Sequence, residues 1–67
     1  MARDWWRGKM LKQARTRRRL TQAVLAKRVG VDVMTISRIE RGDRRPSMAL
    51  LQRLAKALGV PVTELLA

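Results

Sequence analysis

Gly30, Gly42 and Gly59 each end a short run in which apolar residues recur three and four apart, and this punctuation restricts the chain more than any other feature it has. Runs of that period form amphipathic helices, and a glycine behind each one accepts the left-handed backbone that closes a helix. Pro46 and Pro61 stand where the next runs open. β-branched residues are scattered singly or precede glycine, so no strand is indicated. The expected fold class is all-α, a compact bundle of about five short helices.

The first helix is expected over about Trp5 to Arg18, with Met10, Leu11 and Ala14 as a narrow apolar stripe and Trp6 one turn earlier. Arg17, Arg18 and Arg19 crowd its end, where cations complement the helix dipole. Thr21 caps a second helix that buries Leu25, Ala26 and Val29 and ends at Gly30. Val31 enters the core and Asp32 caps a third helix. Ile36 and Ile39 face inward there, which leaves Val33, Met34, Thr35 and Arg38 on the outward face. Gly42 closes that helix, and Asp43, Arg44, Arg45 and Pro46 form a basic loop. Ser47 caps a fourth helix, with Leu50, Leu51, Leu54, Ala55 and Leu58 at helical spacing, and Gly59 stops it. Val60 packs, Pro61 begins a last short helix, and Leu65 and Leu66 close the core. Residues 1–67 are read as one domain, with 1–8 extending the first helix and 21–41 forming a helix-turn-helix unit.

Sixty-seven residues make a marginal core, and the 3% aromatic content is two tryptophans near the N-terminus, so that core is aliphatic. One of Trp5 and Trp6 is expected to cover the first helix, and for the other both plain exposure and contact with a partner subunit stay open. Cysteine and histidine are absent, which removes disulfides, thiolate metal sites and the commonest general base. The few acids are scattered or capping and there is no glycine-rich phosphate loop, so neither an enzyme nor a metal or cofactor is expected. No apolar run approaches the ~18 residues that span a bilayer, and the N-terminus lacks a signal-peptide pattern. A cytoplasmic location is expected, associated with the nucleoid through DNA. Sixteen Lys and Arg against five Asp and Glu give a net charge of +11, a field that attracts polyanions. DNA, RNA and anionic membranes all satisfy it. A solvated basic surface with no partner is the plain alternative, and the self-repulsion of such a charge argues against it.

The segment from Gln22 to Arg41 carries the spacing of a helix-turn-helix. The unit needs a small residue where two helices cross closely, which Ala26 supplies, and a residue free to take an unusual backbone angle at the turn, which Gly30 supplies. It also needs apolar residues on both sides of the turn, and Leu25, Val29, Val31, Ile36 and Ile39 provide them.

With those residues in view, LTQAVLAKRVGV at 20–31, TISRIERG at 35–42, RPS at 45–47 and LAKALGV at 54–60 resemble the phage-repressor (Cro/CI-like, lambda-repressor-like) DNA-binding family. The resemblance covers about Lys9 to Leu66. It implies a five-helix domain that binds double-stranded DNA as a dimer, with its third helix in the major groove, and that represses transcription. It further implies that Val33, Met34, Thr35 and Arg38 face base edges. Thr21, Gln22, Ser37, Arg41, Arg44 and Arg45 would contact the DNA backbone, and Arg15 and Glu40 would form a buried ion pair between the first and third helices. Subunits would pair through Leu58, Val60, Pro61 and Leu66. The chain departs from the family where polar amides commonly open the recognition helix, since it has Val33 and Met34 there. Apolar side chains read only thymine methyls or local shape. Arg19 stands where glycine is common, which implies local strain, and Pro61 where a capping serine is common. The resulting reading is a sequence-specific regulator, a dimeric repressor on a palindromic operator. The alternatives are an antitoxin-type regulator that also binds a toxin protein, and a membrane-active basic amphipathic protein. The distributed glycine and proline caps argue against the single long interfacial helix that the last would need.

Overall fold

The computed structural model describes residues 6–66, and over them the chain forms five helices and no strand: α1 (Gly8–Arg17), α2 (Gln22–Val29), α3 (Val33–Glu40), α4 (Met48–Leu58) and α5 (Val62–Leu66). Trp5 lies outside the described residues. Three of the helix starts are capped by the side chain immediately before them. Thr21 Oγ1 accepts from Val24 N at 3.1 Å, Asp32 Oδ1 from Thr35 N at 2.8 Å, and Ser47 Oγ from Leu50 N at 3.1 Å. Each bond satisfies one of the amide groups that a helix start leaves without an intrahelical partner.

The helix ends share a geometry. After α2, Gly30 sits at φ 78° and donates to Lys27 O at 3.4 Å, while Val31 N reaches back across it to Ala26 O at 3.0 Å. This closes α2 and turns the chain sharply into α3. The same crossed pair of bonds recurs after α3 and α4. It recurs after α1 with Arg19 in the left-handed position, at φ 56°, where Arg19 N donates to Thr16 O at 2.9 Å and Leu20 N to Arg15 O at 3.2 Å. An L side chain in that region is strained, which agrees with the expectation drawn from the missing glycine.

The core is aliphatic. Leu11, Leu25, Ile36, Ile39, Leu51, Leu54, Leu58 and Leu65 are fully enclosed, and one aromatic, Trp6, joins them. α2 packs against α3 and α4, α1 bridges α3 and α5, and α4 meets α5. In consequence α3 is supported from one side only and keeps an outer face.

Three expectations are corrected. α1 starts at Gly8 rather than near Trp5, because Arg7 is extended (φ −125°) and the chain ahead of it turns onto the end of α3. Leu66 does not close the core: Leu65 is enclosed while Leu66 is 36% exposed, as adjacent residues on a helix must face different ways. Leu58 is 2% exposed and belongs to the core, so of the four residues expected to pair subunits it offers no surface. Pro61 is exposed and Val60 half-buried. Among the described residues no helix is long and apolar enough to cross a membrane.

Candidate nucleic-acid interface

The outer face of α3 begins at its cap. The Asp32 carboxylate accepts both the backbone N–H and the hydroxyl of Thr35, the latter at 2.7 Å. These two bonds, the hydroxyl first, hold the carboxyl below the ordinary aspartate range. The cap fixes the first turn, and Val33 and Met34 stand out from it at 47% and 52% exposure. Arg38, one turn further along, is exposed; Thr35 and Ser37 are half-buried at the margins of the face. Beneath it Ile36 and Ile39 are enclosed. With its side chains an α-helix is about 10–12 Å across, which the ~12 Å width of the DNA major groove admits.

What holds α3 in place is a carboxylate shared by three helices. Arg15 on α1 donates to Glu40 on α3 twice, Nε to Oε2 at 2.5 Å and Nη2 to Oε1 at 3.0 Å. Its third nitrogen, Nη1, reaches Leu20 O at 2.7 Å. Gln22, the first residue of α2, donates from Nε2 to Glu40 Oε1 at 3.0 Å. The fork of Arg15 thus has its directions satisfied, and so does the buried carboxylate. The Gln22 amide is turned inward onto Glu40, while Thr21, the cap ahead of it, is exposed.

Beyond α3 the chain stays at the surface. Arg41, Arg44 and Arg45 are all exposed. Arg41 Nε pairs with Asp43 Oδ2 at 3.1 Å in a solvent-exposed contact, which holds it weakly. The structure therefore gathers Val33, Met34, Arg38, Arg41, Arg44 and Arg45 at or beside an outer face, and turns Arg15, Gln22 and Glu40 inward to support it. Among the described residues no group of His, Cys, Asp or Glu could hold a metal ion.

Several supporting residues carry no warning in the sequence. Trp6 Nε1 donates to Ile39 O at 2.9 Å. Gly8 touches the same turn so closely that a Cβ would lie 2.1 Å from Glu40 O. Arg53 on α4 donates to Val29 O at the end of α2, and Arg18 to Gly59 O at 3.4 Å. The only sign available for Trp6 was its type, one of two adjacent donor-bearing aromatics in an otherwise aliphatic chain.

Two short helices, α2 and α3, joined by the three-residue turn at 30–32 and packed on a common core, define a helix-turn-helix protein. The chain belongs to the Cro/CI-like helix-turn-helix family, whose sequence pattern matches residues 11–65. It is 44% identical over 55 residues to an uncharacterised transcriptional regulator in the ATPase CF(0) region of Rhodospirillum rubrum, a match covering 82% of this chain and 51% of that protein. The chain thus spans about half the length of that relative. It is 42% identical over 55 residues to an uncharacterised helix-turn-helix-type regulator of Methanocaldococcus jannaschii, covering 82% and 83% of the two chains. Among solved structures, the restriction-modification controller protein C.AhdI of Aeromonas hydrophila superposes with a TM-score of 0.83 at 36% identity, over 87% of this chain and 84% of that one.

Proposed function

We infer that the protein is a transcription regulator that binds double-stranded DNA in a sequence-specific way, acting as a dimeric repressor on a palindromic operator. The observation that carries this reading is the outer face of α3, where Val33, Met34 and Arg38 stand exposed on a helix tied down by Arg15, Gln22 and Glu40. Membership of a family whose relatives are transcription regulators supports it. In this reading α3 enters the major groove. Arg38 donates both ends of its fork to a guanine, which discriminates by roughly 1–3 kcal/mol. Val33 and Met34 lie against thymine methyls, and Thr35, its hydroxyl proton committed to Asp32, presents its methyl and an oxygen lone pair. Arg41, Arg44 and Arg45 grip phosphates on one side, and Thr21, Ser37 and the start of α2 at Gln22 meet them on the other, where the positive end of a helix suits an anion. Subunits pair through Pro61, Leu66 and the rim of Val60, setting half-sites one DNA turn apart. The same family membership favours action by binding.

Selection of binding sites from random duplexes tests the whole reading. The expected product is a two-fold symmetric site with guanine and thymine at defined half-site positions. In the Arg38→Ala protein the guanine preference disappears while the spacing persists. Uracil in place of thymine across the half-site weakens binding. A pool that stays random after repeated rounds would refute sequence-specific recognition.

A further inference from the structure

The segment ahead of the matched family span takes hold of one end of α3. Trp6 is 5% exposed, and its indole N–H is spent on a carbonyl of the last turn of α3, Ile39 O. That oxygen also accepts from Gly42 N at 3.1 Å, so both of its lone pairs are engaged. Two residues on, Gly8 is buried against the same turn, and a Cβ there would lie 2.2 Å from Ile39 O as well as 2.1 Å from Glu40 O. The first turn of α1 and the last turn of α3 meet backbone to backbone. α1 has no side-chain cap and no acid in its first turn. Its positive end is instead set against the carbonyls at the negative end of α3, a favourable opposition of dipoles.

These contacts fall beside the residues that face DNA, since Arg38 immediately precedes Ile39 and Arg41 follows Glu40. The far end of α3 is set by the turn at Gly30. At the near end Arg15 and Gln22 hold the Glu40 side chain, whereas Trp6 and Gly8 engage the backbone itself, and a tilt of about 5° in a helix about 12 Å long moves that end by about 1 Å. Bidentate recognition tolerates about 0.5 Å. We propose that Trp6 is a positioning residue for base recognition: its indole N–H, together with the close backbone approach at Gly8, fixes the backbone at the C-terminal end of α3 in addition to the hold that Arg15 and Gln22 have on Glu40, so that sequence selectivity depends in part on a segment outside the matched family span. The proposal rests on the DNA-binding reading above and adds to it.

The test compares the wild-type protein with Trp6→Phe, which keeps an aromatic ring but loses the donor, and with a synthetic chain in which benzothiophene replaces the Trp6 indole, which keeps the shape as well. Affinity is measured for the selected duplex and for an unrelated one. The ratio of the two is expected to fall about fivefold in both variants, the factor that one buried neutral hydrogen bond represents, while affinity for the unrelated duplex holds. Leu65→Val, a core change in α5 away from α3, lowers the melting temperature and leaves the ratio alone. The benzothiophene chain keeps the experiment decisive if Trp6→Phe does not fold. A second measurement needs no DNA: the Trp6 indole proton of the wild-type protein exchanges slowly with solvent, and the Ile39 carbonyl carbon shifts when the donor is removed. An unchanged ratio in the folded benzothiophene chain, beside a wild-type protein that discriminates normally, overturns the positioning role alone. A wild-type protein that does not discriminate overturns this role and the DNA-binding reading together.

Discussion

Glu40 shows how much one side chain decides in a protein of this size. Its carboxylate is buried and receives Arg15 and Gln22, so truncating it leaves the Arg15 guanidinium enclosed without its counter-charge. Glu40→Ala is expected to cost about 3–5 kcal/mol, a large share of the total of about 3–10 kcal/mol for a chain of this length, and thermal melting followed by circular dichroism should show a midpoint lowered by more than about 10 °C. Replacing both partners, Arg15→Leu with Glu40→Leu, should restore much of the loss, since no unpaired charge is then buried; a double variant as unstable as the single one would show that the pair itself, and not the stranded charge, carries the effect. Arg19 argues in the opposite direction. An L residue at φ 56° costs about 1–2 kcal/mol, and glycine relieves that while giving back about 0.4–1 kcal/mol through the unfolded chain. Arg19→Gly should therefore stabilise by about 0.5 kcal/mol, measurable as a small rise in the urea midpoint. Both residues stood out in the sequence because each could be compared with a family pattern. Trp6 and Gly8 had no such pattern behind them, and their roles arise from contacts with residues more than thirty positions away.

Helices were legible from sequence where local chemistry sets their limits. Thr21, Asp32 and Ser47 make their cap bonds within three residues, and Gly30 and Gly59 take the left-handed angle their missing side chains permit, so each boundary is written beside itself. The start of α1 is different: apolar spacing extends it back to Trp5, and a tertiary hydrogen bond from Trp6 to Ile39 ends it at Gly8. α5 is too short for its period to say which of Leu65 and Leu66 faces inward, and the docking of α5 on α1 and α4 decides it. The outer face of α3 was readable because Ile36 and Ile39 fix its inner one. The Gln22 amide was not, since its turn toward Glu40 depends on where α1 delivers Arg15. At the start of α3 the Asp32 cap makes a prediction in pH. Its carboxyl is held below the ordinary value of 3.8 chiefly by the Thr35 hydroxyl and then by the Thr35 amide. A lowered folded-state value means that the unfolded chain binds the proton more readily. The contribution is complete above the unfolded value and drains away as pH falls through the folded one. Titration of the Asp32 side-chain carbon by NMR should give a midpoint below 3.8. Asp32→Asn keeps a comparable cap and should flatten the acid limb of the melting curve below that pH.

At the scale of the whole molecule one quantity, the net charge of +11, acts on the free and the DNA-bound protein with opposite signs. Glu40 is paired in the interior and Asp43 offsets Arg41 at the surface. With those acids committed, the cations that are not capping carbonyls repel one another, and salt relieves that repulsion by shortening its range to about 8 Å at physiological strength. The melting temperature of the free protein should rise between 50 and about 300 mM monovalent salt, by a few degrees on the scale of ~1 kcal/mol for a domain this small. DNA binding should move the other way. If Arg41, Arg44 and Arg45 from each of two subunits neutralise phosphates, about six counterions leave per complex, and log affinity falls with log salt at a slope of about −5. Arg44→Ala should flatten that slope by about 2, one phosphate from each subunit, without changing the selected sequence, whereas Arg38→Ala should change the sequence more than the slope. The two classes of arginine therefore separate in one pair of measurements, salt titration and site selection. If Arg44→Ala altered base preference at unchanged slope, the division between an α3 that reads and a loop that grips would be wrong, even though the protein still bound DNA.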